Sequence, residues 1–140
     1  MNKNVMLSIS GLHFDGGSES GNLQSVLPAQ YFKKNDSHYL IYEEQQEGFA
    51  ETVKNRIKLK DKLMELTRQG LMRTNMVFEE GKKHMTSYVT PYGNFLLGVE
   101  TKTMEVQEKE NHLSVVVEYA LEADGEYLSD CRIELQVKDA

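Results

Sequence analysis

The fold of this chain is decided by the stretch MVFEEGKKHMTSYVTPYGNFLLGVETKTMEV, residues 76–106. The pattern predicts a strand, a hairpin turn at Gly81, a second strand, a corner at residues 91–93 and then one long strand. Glycine adopts the left-handed backbone conformation without steric cost, so Gly81 favours a three-residue loop of residues 79–81. Because side chains alternate along a strand, this register puts one set of residues on a single face: Met72, Thr74, Met76, Phe78, His84, Thr86 and Tyr88.

Turn residues earlier in the chain predict further hairpins of the same kind. A turn at residues 35–36 places Phe32 opposite Tyr39. A glycine loop at residues 46–48 and another at residues 68–70 fix two more registers, which predict these opposing pairs: Glu43 with Glu51, Ile41 with Val53, Leu66 with Met72, and Met64 with Thr74. Between these loops, residues 49–59 alternate, with Val53, Asn55, Ile57 and Leu59 on the inward face. The opposite, basic row of Lys54, Arg56, Lys58 and Lys60 is interpreted as a solvated face.

The C-terminal half follows the same rules with one change of phase. Apolar residues of the long strand switch parity near Gly98, which predicts a bulge or barrel corner there. A three-residue loop at 123–125 brings the apolar positions of the last two strands to one face, whereas a two-residue Asp-Gly turn would split them. That face comprises Leu113, Val115, Val117, Tyr119, Leu121, Cys131, Ile133, Leu135 and Val137.

The sequence therefore predicts an all-β protein of about ten short strands in residues 1–140, arranged as one antiparallel up-and-down meander. Closing a long meander into a barrel removes its exposed edges. A barrel of about eight strands is just wide enough to hold side chains or one small ligand. The glycine- and serine-rich residues 15–21 are either a lid over one mouth or a plain connection.

Composition narrows the classes of function. The net charge of −6 and the pI of about 5.2 argue against binding to nucleic acid, which depends on neutralising phosphates. One cysteine, Cys131, allows no internal disulfide, and no apolar run approaches the length of a membrane helix or of a signal-peptide core. We expect a cytoplasmic protein that does not enter membranes.

Four stretches of the chain resemble a known family. They are YLIYEE (residues 39–44), MVFEEGKKH (76–84), TPYG (90–93) and YALE (119–122). Together they are similar to the YwiB-like bacterial β-barrel proteins, a domain-of-unknown-function family placed among the calycins beside the lipocalins. The resemblance covers nearly the whole chain and implies a lipocalin-like barrel. It implies no activity, cofactor or catalytic residue.

The inward polar residues of the central hairpin form the candidate binding site. His84 is expected beside Met76, with hydroxyl groups and an amide near it in a methionine-rich lumen. A few polar groups among apolar walls are typical of small-molecule sites, and methionine adapts to irregular shapes. The candidate ligand-binding residues are His84, Tyr88, Thr74, Thr86, Met72, Met76, Tyr119 and Asn55. The alternative is that His84 is a core histidine hydrogen-bonded to a neighbouring hydroxyl.

Other reactive groups give weaker signals. The four histidines (13, 38, 84 and 112) lack metal-ligand spacing, and Cys131 lies in an apolar row, so we expect no metal, no cofactor and no thiol chemistry. Opposed Glu43 and Glu51 would permit acid–base chemistry, but a solvated rim pair explains them as well. We assign no catalytic residue and rank an enzyme below a ligand-binding barrel and a structural or interaction module.

Apolar residues on the outward face predict association between copies of the chain. Leu40 and Tyr42 fall on that face, together with Leu71, Val77, Met85 and Val89. Soluble monomers rarely expose contiguous apolar patches, and a two-fold dimer is the commonest way to cover one. We expect a homodimer through Leu71, Val77, Met85 and Val89.

Overall fold

The structure, a computed structural model, describes residues 3–11, 24–45, 48 and 50–140. Ten strands make one antiparallel sheet. Consecutive strands pair with each other except β6 and β7, and β1 also pairs with β10. The strands are β1 (Asn4–Ser10), β2 (Gln24–Lys34), β3 (Ser37–Gln45), β4 (Thr52–Lys60), β5 (Leu63–Gly70), β6 (Thr74–Glu79), β7 (Lys83–Thr90), β8 (Gly93–Lys109), β9 (His112–Ala123) and β10 (Glu126–Asp139). The predicted all-β meander is confirmed.

The barrel is nearly closed, and its seam lies between β6 and β7. These two strands are the edges of the sheet, and their one β-bridge joins Arg73 to Val89 through backbone hydrogen bonds of 3.0 and 2.9 Å. The predicted β6–β7 ladder is therefore wrong, although Gly81 does turn the chain with φ +81°. Residues 81 and 82 bond instead to the backbone of Thr101 on β8, which draws β7 away from β6.

An up-and-down meander gives the barrel two distinct ends. We call the end with the turns at 71–73, 91–92 and 124–125 the lower end, and the end with the turns at 35–36, 61–62 and 110–111 the upper end. Between them, inward side chains from all strands form one apolar core. At its centre the ring of Phe78 meets that of Tyr119 edge-on, with centroids 5.1 Å apart.

The β3–β4 pair differs from the predicted register. The turn at 35–36 and the pairing of Phe32 with Tyr39 are confirmed, but Glu43 lies opposite Lys54 and not Glu51. The strands stop at Gln45 and resume at Thr52, so their connection is longer than a three-residue loop and shifts the register by an odd number. The odd shift reverses the faces of β3. Leu40 and Tyr42 are buried in the core, which corrects their outward placement.

The β5–β6 pair also turns later than predicted. Residues 68–70 continue β5 rather than forming a loop, and Leu66 lies opposite Met76, with Arg68 opposite Thr74. This shift is even, so the predicted faces hold while Arg68 enters the barrel.

The long strands at the C-terminus contain two bulges. In β8 the irregularity lies between Thr101 and Thr103 rather than at Gly98. The glycine at position 98 is explained by a close side chain and not by a bulge. A Cβ there would lie 2.5 Å from the side chain of Glu122, which crosses over Gly98 to pair with Lys83. In β9–β10 the turn is the two-residue Asp124-Gly125, and a bulge between Tyr127 and Ser129 restores the phase. The predicted apolar face is correct, although the loop length was not.

The predicted lid or connection of residues 15–21 lies outside the described part of the chain, so the structure does not test it. Within the described part, no helix has the length and apolar character needed to cross a membrane.

Candidate ligand-binding site inside the barrel

Four polar side chains form a row across the inner wall near the lower end. Strand pairing places Tyr42 of β3 opposite Asn55 of β4, Asn55 opposite Arg68 of β5, and Arg68 opposite Thr74 of β6. Their exposed fractions are 4%, 1%, 5% and 7%. We call these four residues the polar row. A row of this kind is unusual, because polar side chains at such depth are normally absent or fully hydrogen-bonded.

Hydrogen bonds tie the polar row to its neighbours at the lower end. Arg68 Nη1 donates to the Tyr88 hydroxyl at 2.9 Å, and that hydroxyl donates to Met72 Sδ at 3.3 Å. Asn55 Nδ2 donates to Glu44 Oε1 at 2.9 Å. The same Glu44 oxygen lies 3.7 Å from Arg68 Nη2, which is an ion pair beyond hydrogen-bonding distance.

Each member of the polar row keeps a buried polar atom without a hydrogen-bond partner. These atoms are Tyr42 Oη, Asn55 Oδ1, Arg68 Nε, Arg68 Nη2 and Thr74 Oγ1. Leaving a buried donor or acceptor unpaired costs about 1–3 kcal/mol, and more for a charged group. The polar row therefore lowers stability where it stands, which is a common property of binding sites.

The electrostatic setting keeps Arg68 charged and Tyr42 and Tyr119 neutral. Burial lowers the pKa of Arg68, but Tyr88, Glu44 and Tyr42 outweigh it and hold that pKa above its ordinary value. Burial raises the pKa of Tyr42, with Arg68 opposing the rise and Glu44 adding to it. Burial also raises the pKa of Tyr119, and the neighbouring Cys131 thiol adds to the effect. The site is thus a fixed cation surrounded by hydroxyl groups and one carboxylate.

The residues predicted for the site fall into two groups. Asn55 and Thr74 belong to the polar row, and Tyr88 and Met72 bond to Arg68 or to each other. Met76 packs in the core, and Tyr119 lies deeper in the interior beside Phe78.

The other two predicted residues lie along the seam, away from this network. The His84 side chain is 36% exposed, and its Nε2 lies 3.0 Å from Glu79 Oε1. The Thr86 hydroxyl donates to the backbone carbonyl of Ser87 at 3.4 Å. Hydrogen bonds from His84 and then Lys82 lower the pKa of Glu79, which is a surface effect. The structure therefore joins Asn55, Thr74, Tyr88 and Met72, and holds His84 and Thr86 apart from them.

Sequence reasoning missed three members of this site. Tyr42 and Glu44 were hidden by the β3–β4 register, and Arg68 by its assignment to a loop. A signal for Arg68 was present: it continues the inward spacing of Met64 and Leu66. Nothing comparable marks Glu44, because the length of the connection after it decides its neighbours.

A second polar group lies at the upper end of the barrel, with Tyr31 and His38 buried and Lys33 and Glu108 exposed. The Tyr31 hydroxyl lies 2.7 Å from His38 Nδ1, and His38 Nε2 lies 2.9 Å from Glu108 Oε1. Lys33 Nζ donates to the other oxygen of Glu108 at 3.3 Å. We call these four residues the upper chain. An open pocket of about 800 Å³ adjoins it, lined in part by Tyr31, Phe32, Lys33 and Glu108.

The lower end is the stronger candidate although the pocket lies at the upper end. Both oxygens of Glu108 and both ring nitrogens of His38 already have partners, so the upper chain is saturated by the protein itself. The polar row retains donors and an acceptor that a ligand would satisfy. Among the described residues, no group of three or more His, Cys, Asp or Glu side chains is arranged to hold a metal ion.

Comparison with known proteins defines the family. The model of a family described as "Domain of unknown function (DUF1934)" matches residues 7–135. The chain belongs to this family. The resemblance suggested by the four sequence stretches is therefore confirmed. A search of curated proteins found no match.

One solved structure has the same fold as this chain. The crystal structure of ywiB protein from Bacillus subtilis matches with a TM-score of 0.81 over 99% of this chain and 92% of that one. The two sequences are 16% identical, so the likeness concerns the fold alone. Neither comparison names a ligand or a reaction, and function must be argued from the site.

Proposed function

We propose that the protein binds a small amphipathic molecule inside the barrel, with its polar end against the polar row and its apolar end against the core. The observation that carries this proposal is the set of unpartnered polar atoms in the polar row. Small-molecule sites combine apolar walls with a few convergent polar groups, and the apolar residues beside the row supply the walls.

The polar row would engage its ligand after a local rearrangement. Its unpartnered atoms each expose less than 1 Å² of surface, so a ligand must take space that neighbouring side chains now fill. The methionines on β6 and on the connection before it suit this role, because Met76 and Met72 are unbranched and repack readily. Binding of this kind is coupled to a shift between closed and open arrangements.

Asparagine substitutions on two faces test the proposal. We expect decanol and decanoate to raise the melting temperature of the wild-type protein, and Asn55→Leu to remove most of that shift because a buried head-group partner is lost. Asn75→Leu makes the same change on the outer face of β6, where Asn75 is exposed, and should leave the shift unchanged. If neither compound binds, the proposal fails.

A second candidate is association through the outer face, favoured by exposed apolar side chains on neighbouring strands. Met85 is 48% exposed and Leu96 is 47% exposed, and Leu71, Val77 and Val89 are half-buried nearby. A homodimer would cover this patch. Light scattering on the wild type and on Met85→Lys tests it, since the variant should shift a dimer towards single chains. A wild-type mass of one chain, 16.0 kDa, would exclude the dimer.

We also propose that the protein is located in the cytoplasm. Cys131 is a free thiol, half-buried, with Sγ 3.3 Å from the hydroxyl oxygen of Ser129. A protein stabilised without disulfides is suited to a reducing compartment, and this supports the cytoplasm as its location.

A further inference from the structure

We propose that the interior site selects a monocarboxylate with an apolar remainder, and that Glu44 occupies the carboxylate position until the ligand displaces it. This inference rests on the proposed function, because it names the ligand class of the same site. It is carried by the geometry of Arg68 and by the position of Glu44 beside it.

Arg68 offers one complete edge of its guanidinium group. Nη1 is used by the Tyr88 hydroxyl, whereas Nε and Nη2 are buried without hydrogen-bond partners. These two nitrogens carry parallel N–H groups on the side-on edge of the guanidinium. That edge matches the two oxygens of a carboxylate, which forms paired hydrogen bonds with it. A hydroxyl group would satisfy one of the two donors and leave the other unpaired.

Glu44 already brings a carboxylate to this edge. Its Oε1 accepts a hydrogen bond from Asn55 Nδ2 at 2.9 Å and lies 3.7 Å from Arg68 Nη2. Asn55 and Arg68 are thus arranged around a carboxylate oxygen, with the arginine not yet in hydrogen-bonding contact. An incoming carboxylate would find the same partners at the same place.

Glu44 is also the member of the pair that can leave. Its side chain is 15% exposed, compared with 5% for Arg68, and it stands one residue before the end of β3 at the lower end. Moving its carboxylate into solvent restores full hydration, while the ligand keeps Arg68 neutralised. Buried charges need partners, so the exchange preserves the charge balance of the interior.

Charge then ranks the ligands. A carboxylate replaces Glu44 beside Arg68, an alcohol leaves the ion pair as it is, and an amine adds a second positive charge near the guanidinium. The apolar remainder would lie against Tyr88, Met72 and the core beyond them. We therefore expect decanoate to bind more tightly than decanol, and decanol more tightly than decylamine.

Titration calorimetry with these three probes tests the inference on the full chain. In the wild type, decanoate should bind at least about tenfold more tightly than decanol, because charge-assisted hydrogen bonds to Arg68 are lost with the alcohol. Arg68→Met should abolish the difference, because decanoate loses both donors of the guanidinium edge whereas decanol loses at most one. Arg56→Met, on the exposed outer face of β4, is the matched control and should keep the difference.

The variant Glu44→Gln tests whether Glu44 competes with the ligand carboxylate for Arg68. Removing the resident carboxylate should strengthen decanoate binding severalfold and change decanol binding by a smaller factor, because only decanoate competes with Glu44 for Arg68. If Arg68→Met does not fold, Arg68→Lys keeps the charge without the two-donor edge and should reduce the preference for decanoate. Equal wild-type affinities for decanoate and decanol, or weaker decanoate binding in Glu44→Gln, would overturn the inference while leaving the proposed function standing. If none of the three probes binds, the proposed function itself fails.

Discussion

Both ends of the barrel bury polar side chains, but these are hydrogen-bonded at the upper end and only partly hydrogen-bonded at the lower end. At the upper end, Tyr31, His38 and Glu108 form an unbroken chain of hydrogen bonds with contacts of 2.7 and 2.9 Å. At the lower end, the polar row and Glu44 surround Arg68, yet both donors of one guanidinium edge lack an acceptor. The two networks share only β3, which contributes His38 to the upper end and Tyr42 to the lower end.

This contrast is the reason for assigning a structural role to the upper chain and proposing a binding role for the polar row. A saturated network stabilises the fold, because its atoms exchange water for protein partners at little loss. A partly satisfied network costs stability, and destabilised arrangements are found at functional sites. The upper chain joins the far end of β8 to β2 and β3, whereas the polar row keeps buried donors and acceptors without hydrogen-bond partners.

The largest effect is expected from His38→Leu. The substitution removes the hydrogen-bond partner of both the buried Tyr31 hydroxyl and Glu108, and we expect a loss of about 2–3 kcal/mol in the free energy of unfolding. Urea unfolding followed by circular dichroism measures it. His112→Leu, at the partly exposed start of β9, should change stability by less than about 0.5 kcal/mol. Equal losses in the two variants would remove the special role of the upper chain.

Arg68→Met should have a much smaller effect although Arg68 is as deeply buried as His38. The methionine fills the space with apolar atoms, and Glu44 can turn to solvent, so we expect a change within about 1 kcal/mol of either sign. The double variant with Glu44→Gln should match the single variant. A loss above about 3 kcal/mol would mean that Arg68 and Glu44 form a structural ion pair.

Thr74→Val should raise stability slightly. The substitution replaces a buried hydroxyl that has no hydrogen-bond partner with a methyl group of similar shape, so we expect a gain of up to about 1 kcal/mol. Thr103→Val serves as the control, because its exposed hydroxyl lies 3.4 Å from Glu118 Oε1 and gains nothing from the change. A clear loss in Thr74→Val would show that its hydroxyl is satisfied in solution.

The smallest effect is expected from acid, which should lower the contribution of the upper chain to the free energy of unfolding. Burial raises the pKa of Glu108, but the hydrogen bond from Lys33 and the proximity of His38 outweigh it and bring that pKa below its ordinary value. A carboxyl whose pKa is depressed by folding stabilises the protein above its unfolded pKa, and the contribution disappears as pH falls through the folded pKa.

The side chain of Glu108 is 48% exposed, so solvent screening keeps this contribution small. We expect unfolding free energies measured below about pH 5 to fall less steeply in Glu108→Gln than in the wild type. Identical slopes in the two proteins would show that Glu108 carries no pH dependence.

Pattern alone predicted most of the fold. Alternation along β4, β9 and β10 placed residues such as Ile57, Val115 and Leu135 in the core correctly. The ten strands and their antiparallel order followed from turn residues that recur at short intervals. Alternation and turn positions depend only on residues close together in the sequence, so both can be predicted from the sequence alone.

Register was harder to predict, and the site depends on register. A connection longer than the glycine loop suggested moved Tyr42 and Glu44 relative to Asn55 by an odd number of residues. At the β9–β10 turn, a bulge compensated for a shorter loop, so the faces were right for the wrong reason. Loop length and bulges are decided by the closure of the whole barrel, and a local pattern contains little information about that closure.

The most direct test of the central claim observes the Arg68 Nε–H group itself. In a ¹H–¹⁵N nuclear magnetic resonance spectrum, its signal is identified by its loss in Arg68→Met. Adding decanoate should shift this signal and slow its exchange with water, because Nε gains a carboxylate partner in place of none, and adding decanol should change it far less. A signal that stays in place while decanoate binds would contradict the account, since the buried guanidinium edge would then have no part in recognising the ligand.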